Sequence, residues 1–538
     1  MLGVRSQMNE PWAAGDRAVV YHNCRVRALC DQDQPANALA VQAGRVQWVG
    51  CEDDLGAGNW RRVDLGGAVV IPALGDAHTH LLWYALLRRR VDLRGATSEP
   101  DAASRVASYA ADHPGSGWIQ GSGWNENTWD VTRLPSRLSL DTVCPGRPVV
   151  LSRADGHMVW TNSVALQAAG ITSTTPDPAG GQVDRDQGGE PTGILRDRAA
   201  DPVRDRVPPP TLAERVAALR EVQPELLSYG LVSLHTMEGR DTLEALQELR
   251  QGGDLRPRVL VLPPIALRPE LEAIGLRPGF GDDHLRLGQL KLFVDGSLGS
   301  RTAWMLEDFC GEAGSRGLAM LEQAELVGLL DEAHLAGWPC AIHAIGDAAN
   351  RHVLEALADV PRAPGPLPDR IEHVQCIRPE DAMRLSAQGV VASMQPVHVA
   401  SDWRVSDRLW GERSRQSYAW QMLARAGAVL AFGSDAPVES INPWLGLQVA
   451  VTRQDLEGQP ARGWYPEQRL SPREALSGFT SGVAAAAGEA GQGRLVAGAR
   501  ADFLVLEDDP LTMDPRALAT ISPLATYVDG VKVWTRTD

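Results

Sequence analysis

The sequence predicts an α/β fold: a (β/α)8 TIM-like barrel, a small β-sandwich domain formed by both termini, and an inserted segment after the first barrel strand. Three observations carry this expectation. Eight short apolar runs alternate with helical stretches through the middle of the chain, and both ends have the texture of short strands separated by turns. Residues 97–200 interrupt the alternation with a stretch rich in Gly, Pro, Trp and Asp. The expected limits are 1–71 for the first part of the sandwich, 72–490 for the barrel with its insertion at 97–200, and 491–538 for the second part of the sandwich.

Taken in order, residues 17–21, 38–42 and 44–49 read as N-terminal strands, and 501–506 and 525–534 as C-terminal ones. The eight central runs are 69–74, 231–234, 259–262, 289–294, 340–345, 370–374, 390–394 and 429–432. Eight such runs are what a closed barrel needs. The insertion holds a strand candidate of its own at 148–151, and an Ala-rich helix is expected around Ala484–Ala487.

Composition excludes some partners. The 538 residues are 44% hydrophobic and 22% charged, with a formal net charge of −16. That charge repels nucleic acid and anionic membranes and does not itself identify a substrate; the partner expected from the site residues below is a small molecule. The seven cysteines (Cys24, Cys30, Cys51, Cys144, Cys310, Cys340 and Cys376) are scattered and contain no Cys-x-x-Cys pair. They fit free thiols in a reducing cytoplasm. Residues 1–16 carry charges and no apolar h-region, and no uncharged run approaches the roughly 18 residues of a membrane span. The expected location is therefore the cytoplasm. A homodimer is the base-rate expectation for an enzyme of this size.

Chemistry enters at Gly75-Asp76-Ala77-His78-Thr79-His80. Side chains alternate along a strand, so His78 and His80 project to one side and form half of a metal site. Alone the pair is weak evidence. Lys291, His343, His373 and Asp435 lie at the C-terminal ends of the fourth, fifth, sixth and eighth runs, where barrel active sites are built. Each singly reads as a satisfied core histidine, a snorkelling lysine or a capping aspartate. Together they converge on one mouth. Imidazole and carboxylate suit a divalent metal such as zinc, whereas a lysine joins only when neutral or converted to a carboxylate.

Other candidates touch the substrate side. His157 lies in the insertion, and His235 and His398 end the second and seventh runs, where they line a pocket or cap strands. The 16 tryptophans outnumber 7 tyrosines and 6 phenylalanines. Trp83, Trp124, Trp129 and Trp403 fall in segments expected to border the mouth, either as an aromatic pocket or as packing. His22, His113, His284, His334 and His352 have no such context and read as ordinary.

With these residues in hand, the chain resembles the metal-dependent amidohydrolase superfamily, within it the amidohydrolase family 3 branch that includes N-substituted formamide deformylase-like enzymes. The resemblance rests on Gly75–His80, on Lys291 with 295–303, on 343–347, Glu372-His373, 393–396 and 433–437. Segments 121–126, 155–157 and 498–506 add to it, so it covers nearly the whole chain. It implies divalent metal, two zinc ions first, with iron, manganese and cobalt and a one-metal site beside a hydrogen-bonded Lys291 as alternatives: His78 and His80 on the more buried ion, His343 and His373 on the more exposed one. It implies further that Lys291, N-carboxylated, bridges them, and that Asp435 ligates the buried metal and shuttles protons. The implied reaction is attack of metal-activated hydroxide on an amide-like C–N bond, as in an N-acyl or N-formyl amine.

Three rival readings stand beside it. A mononuclear heterocycle deaminase would carry a His-x-x-Glu base, but Ala344, Ile345 and Gly346 follow His343. A lactone, ester or carbamate hydrolase would use the same machinery. A catalytically dead scaffold predicts eroded ligands, and all six are kept.

Overall fold

The computed structural model describes residues 18–30, 35–55, 60–154, 156–489 and 491–537. Asp155, part of the 155–157 motif, lies outside the described residues. The chain forms two compact units, residues 1–83 with 219–538, and residues 84–218.

The first unit is built on parallel strands that follow one another in chain order: β1 (Leu74–Thr79), β2 (Leu231–Thr236), β3 (Arg258–Val261), β4 (Leu290–Phe293), β5 (Cys340–Ala344), β6 (Arg370–His373), β7 (Val391–Met394) and β8 (Leu430–Phe432). They form two arcs, β1-β2-β3 extended by Leu285–Leu287, and β4 through β8. Backbone hydrogen bonds join the arcs at both seams. Asp435 N donates to His78 O at 2.7 Å and His80 N to Ala436 O at 2.8 Å, while Lys291 N donates to Pro263 O at 2.8 Å. The strands are buried on both faces, as parallel strands covered by helices are. The helix Arg240–Gln251 illustrates the cover: it buries Thr242, Ala245, Leu246 and Leu249, one stripe at helical spacing.

Three expected strands are redrawn. The run 69–74 divides: Val69–Pro72 joins a terminal sheet between Arg25–Val26 and Phe503–Leu506, and only from Leu74 does the chain enter β1. Pro72 has no N–H to continue the first ladder. Ala73 N still reaches Asp502 O at 3.0 Å, and Leu74 N already bonds Gly230 O at 3.0 Å. The first barrel strand is therefore the histidine segment itself. The run 289–294 starts one residue later as β4, and Leu285–Leu287 before it pairs instead with β3. The stretch 525–534 is a hairpin, Ala525–Val528 and Val531–Thr535, turning at Asp529 (φ 52°) and Gly530 (φ 71°). Two successive positive φ values favour that Asp-Gly pair.

The termini contribute two sheets. One orders Arg45–Gly50, Ala38–Gln42, Val19–His22 and Arg61–Asp64; the other orders Arg25–Val26, Val69–Pro72, Phe503–Leu506, Ala525–Val528 and Val531–Thr535. Side chains from both meet in one apolar cluster that includes Tyr21, Leu39, Val70, Phe503 and Tyr527. At the N-terminal end of the strands the helix Ser481–Ala486 packs so closely that a Cβ on Gly482 would sit 1.9 Å from Leu430 O.

The second unit centres on a six-stranded sheet ordered Gly181–Arg185, Pro191–Asp197, Met158–Thr161, Val149–Arg153, Ile119–Trp124 and Val91–Asp92. The expected strand at 148–151 is Val149–Arg153. Among the described residues, no helix is long and apolar enough to cross a membrane.

Candidate metal centre

At the C-terminal ends of the strands a cavity of about 410 Å³ is lined by His78, His80, Lys291, His343, His373, His398 and Asp435, among others. All six expected metal ligands thus reach one place. Each is held there by local structure. Asp76 Oδ1 accepts from the backbone N–H groups of His78 and Ser434, both at 3.0 Å, which ties β1 to the chain leaving β8. The register of β1 against β2 shifts twice, so strict alternation does not hold. His78 is buried and His80 is partly exposed, with ring centroids 5.8 Å apart.

Lys291 is flanked by Leu290 and Leu292 in β4. Its Nζ is buried, has no hydrogen-bond partner among the described residues, and lies 4.6 Å from the Phe293 ring centroid. Burial pushes its pKa down to about 8, against the pull of Glu372 and Asp435. Burial, and next Lys291, push His343 down to about 3. His343 Nε2 donates to Gly296 O at 3.0 Å, leaving Nδ1 with the lone pair. His373 closes β6 in a left-handed conformation (φ 77°), as does Asp435 after β8 (φ 59°). Such backbone outliers persist where surrounding structure enforces them, and they cluster at functional sites.

Asp435 is the hub. Its Oδ1 lies 3.5 Å from His78 Nε2 and 3.3 Å from His80 Nε2, and its Oδ2 lies 3.3 Å from His398 Nε2. Burial raises its pKa, but the neighbouring imidazoles of His398 and His78 outweigh this and hold the carboxyl well below its usual range. One ligand atom from each of His78, His373 and Asp435 falls within 4.8 Å of the others.

The donor set passes a direct test of fit to a metal. Glu372 Oε2 accepts from His78 Nδ1 at 2.6 Å. Burial opposes the ionised form of Glu372, yet Arg370, then His78, keep its pKa well below normal, so the proton belongs to the imidazole. Burial also keeps His78 neutral. Its Nε2 therefore faces Asp435 Oδ1 as acceptor to acceptor. A cation held between them satisfies both, and a carboxylate behind a ligating imidazole is the usual orienting partner.

Sequence reasoning named His235 as lining a pocket or capping a strand and Glu372 only as part of a motif, and it missed Arg370 and the network that joins the three. Arg370, fully buried, donates Nε to Glu372 Oε1 at 2.5 Å, Nη2 to Ser393 Oγ at 2.6 Å, and Nη1 to His235 Nδ1 at 2.9 Å. The signal existed: two charges two residues apart inside an apolar strand demand each other or a common partner. His235 caps β2 inside this network and is absent from the residues lining the cavity, whereas His398 lines it.

Trp124 and His157 belong to the second unit. Trp124 has no exposed surface; its indole N–H donates to Leu151 O at 2.9 Å, and its ring packs with Trp129 and Trp160. It is core of that unit. Trp124→Ala is expected to cost about 3–5 kcal/mol of unfolding free energy, measured by urea titration, with no change in metal content. The His157 side chain is 75% exposed, with Nδ1 2.8 Å from Asp197 Oδ1. Trp83 lies 5.8 Å from His80 between ring centroids, and Trp403 donates to Asp455 at 3.3 Å. His334, read as ordinary, forms a second cluster with Cys340 and Asp369. Both its nitrogens are engaged, by Pro361 O at 2.7 Å and Asp369 Oδ1 at 2.9 Å.

Known proteins match this arrangement at the level of family. A family model described as amidohydrolase family matches residues 61–534. The chain is 31% identical over 527 residues to the putative amidohydrolase YtcJ of Bacillus subtilis, covering 96% of this chain and 99% of that protein. It is 27% identical over 566 residues to the N-substituted formamide deformylase of Arthrobacter pascens, covering 97% and 99% respectively. An uncharacterized metal-dependent hydrolase from Pyrococcus furiosus, known from its crystal structure, aligns with a TM-score of 0.77 at 29% identity, over 92% of this chain and 100% of that one. The architecture is TIM-barrel-like α/β, the class of these metal-dependent hydrolases. The chain belongs to the amidohydrolase family.

Proposed function

We propose that the protein hydrolyses the C–N bond of an N-acyl or N-formyl amine with the help of bound divalent metal. The observation that carries this is the 3.5 Å approach of two acceptors, His78 Nε2 and Asp435 Oδ1, in a cavity that also presents Lys291, His343 and His373. Divalent metal, two zinc ions in this reading, would be held by His78, His80, His343, His373 and Asp435. Lys291, whose Nζ is buried without a partner among the described residues, would join these donors as its N-carboxylate. The scaffold in this reading is a closed (β/α)8 barrel with a two-sheet terminal sandwich, supported by the seam hydrogen bonds and the shared apolar cluster. The seven scattered cysteines, with no Cys-x-x-Cys pair, suit the cytoplasm. A homodimer remains the base-rate assembly.

A divalent metal bound here supplies Lewis acidity toward a carbonyl oxygen and lowers the pKa of water. The chain does the rest. Asp435, an ionised carboxylate, accepts the proton released by water at one oxygen and delivers it to the departing amine nitrogen, so the cleaved C–N bond yields a carboxylic acid and an amine. His398 holds the other oxygen of Asp435 at 3.3 Å and keeps the carboxylate turned inward. Glu372 fixes the tautomer and the ring plane of His78.

Metal analysis of the purified protein, with hydrolysis assays on N-formyl, N-acyl, ureido, lactone and aminopurine substrates, tests the proposal. Prolonged chelation is expected to abolish hydrolysis of the N-acyl or N-formyl compounds, and zinc to restore it. Intact mass is expected to gain one carbon dioxide on Lys291. Ammonia release from the aminopurine alone would overturn the reading.

A further inference from the structure

Beside the metal-facing residues, the lining of the cavity has an uneven chemistry. Phe293, Leu298, Ile345 and Val438 give it an apolar wall, and among its described lining residues Lys291 is the one lysine or arginine. Into this wall come two acceptors without donors. Asp402 stands one turn beyond His398 on the helix His398–Trp410, so both side chains share a face. Tyr418, itself buried, donates its Oη–H to Asp402 Oδ2 at 2.6 Å and fixes the carboxylate. Asp402 Oδ1 accepts no hydrogen bond among the described residues. Gln375, 4% exposed, also presents an Oε1 with no partner. Gln375 Oε1, buried without a donor among the described residues, is costly, and beside it the partly exposed Asp402 offers a carboxylate oxygen, so a ligand that brings N–H groups is favoured there.

Building on the proposed amide hydrolysis, we propose that Asp402 is a specificity-determining residue that receives an ammonium or other N–H-donating group of the substrate. The apolar wall takes the hydrocarbon between that group and the scissile bond. The cavity then selects amine-bearing substrates over those ending in a carboxylate, which Asp402 repels. Tyr418 is a positioning residue, because it acts only by holding Asp402.

The experiment compares three N-formyl alkylamines of equal chain length that end in ammonium, methyl or carboxylate. Metal-loaded wild type is expected to show kcat/KM for the ammonium-ended compound about tenfold or more above the methyl-ended one, the order given by a hydrogen bond to a charged group, and the carboxylate-ended compound the lowest value. Asp402→Asn is expected to bring the ammonium-to-methyl ratio toward one, chiefly through KM. Tyr418→Phe keeps the charge and is expected to lower the ratio part of the way, which also decides the matter if the first variant does not fold. An unchanged ratio in both variants, or a wild-type preference for the carboxylate, overturns the inference. Calorimetric binding of pentylamine against pentanol runs alongside. If none of the three compounds is hydrolysed, amide hydrolysis is the reading that fails, and the amine-to-alcohol affinity ratio in wild type and Asp402→Asn still decides the role of Asp402.

Discussion

Asp435→Asn is expected to lower kcat by about 10²–10⁴-fold, the range that a positioned acid–base group contributes. The substitution keeps the shape and removes the ability to carry a proton. Asp435 sits within 3.5 Å of His78, His80 and His398, so its carboxylate also belongs to the metal-holding cluster. Two measurements separate these roles. Metal content by mass spectrometry shows whether the amide still retains the ion, and the pH profile shows whether proton transfer is lost. A variant that keeps its metal and its rate would remove Asp435 from the chemistry. A variant that loses metal and regains the rate at high zinc would reduce it to a ligand.

The ligand set was legible in the sequence because it obeys two local rules. Apolar strand runs mark where the chain crosses the core, and a polar residue at the C-terminal end of such a run points at the mouth. His343 and His373 satisfy both, whereas Lys291, second in β4, stood out as a charge inside an apolar run. His78 and His80 were expected from strand alternation and do line the cavity, although the register of β1 shifts twice and the strand runs only from Leu74 to Thr79. The preceding apolar residues belong to a different sheet, a switch that Pro72 marks but that sequence cannot direct. Trp124 shows the opposite limit. An indole reads the same whether it lines a pocket or fills a core, and only the packing with Trp129 and Trp160 tells them apart. Asp402 and Gln375 were invisible for a related reason. A polar residue outside a strand carries no signal of where it points; the helix phase from His398 supplies it, once the helix is known.

Arg370→Met is expected to cost about 3–5 kcal/mol of stability, the penalty for breaking a buried ion pair from one side. The loss arises because Glu372 stays charged with no guanidinium to balance it, in an interior where both residues have no exposed surface. A second effect is separable. Arg370 orients Glu372, and Glu372 orients His78, so metal affinity is expected to fall about 10–100-fold, as when a partner behind a ligating histidine is removed. The double variant Arg370→Met with Glu372→Gln removes both charges. It is expected to recover much of the stability, since no lone charge remains, while metal affinity stays low because His78 has lost its ionised anchor. Chelator competition and thermal unfolding on the same samples read the two quantities independently. Parallel recovery of both would mean that the pair only packs the interior; stability recovered without affinity would place Arg370 in command of the His78 imidazole.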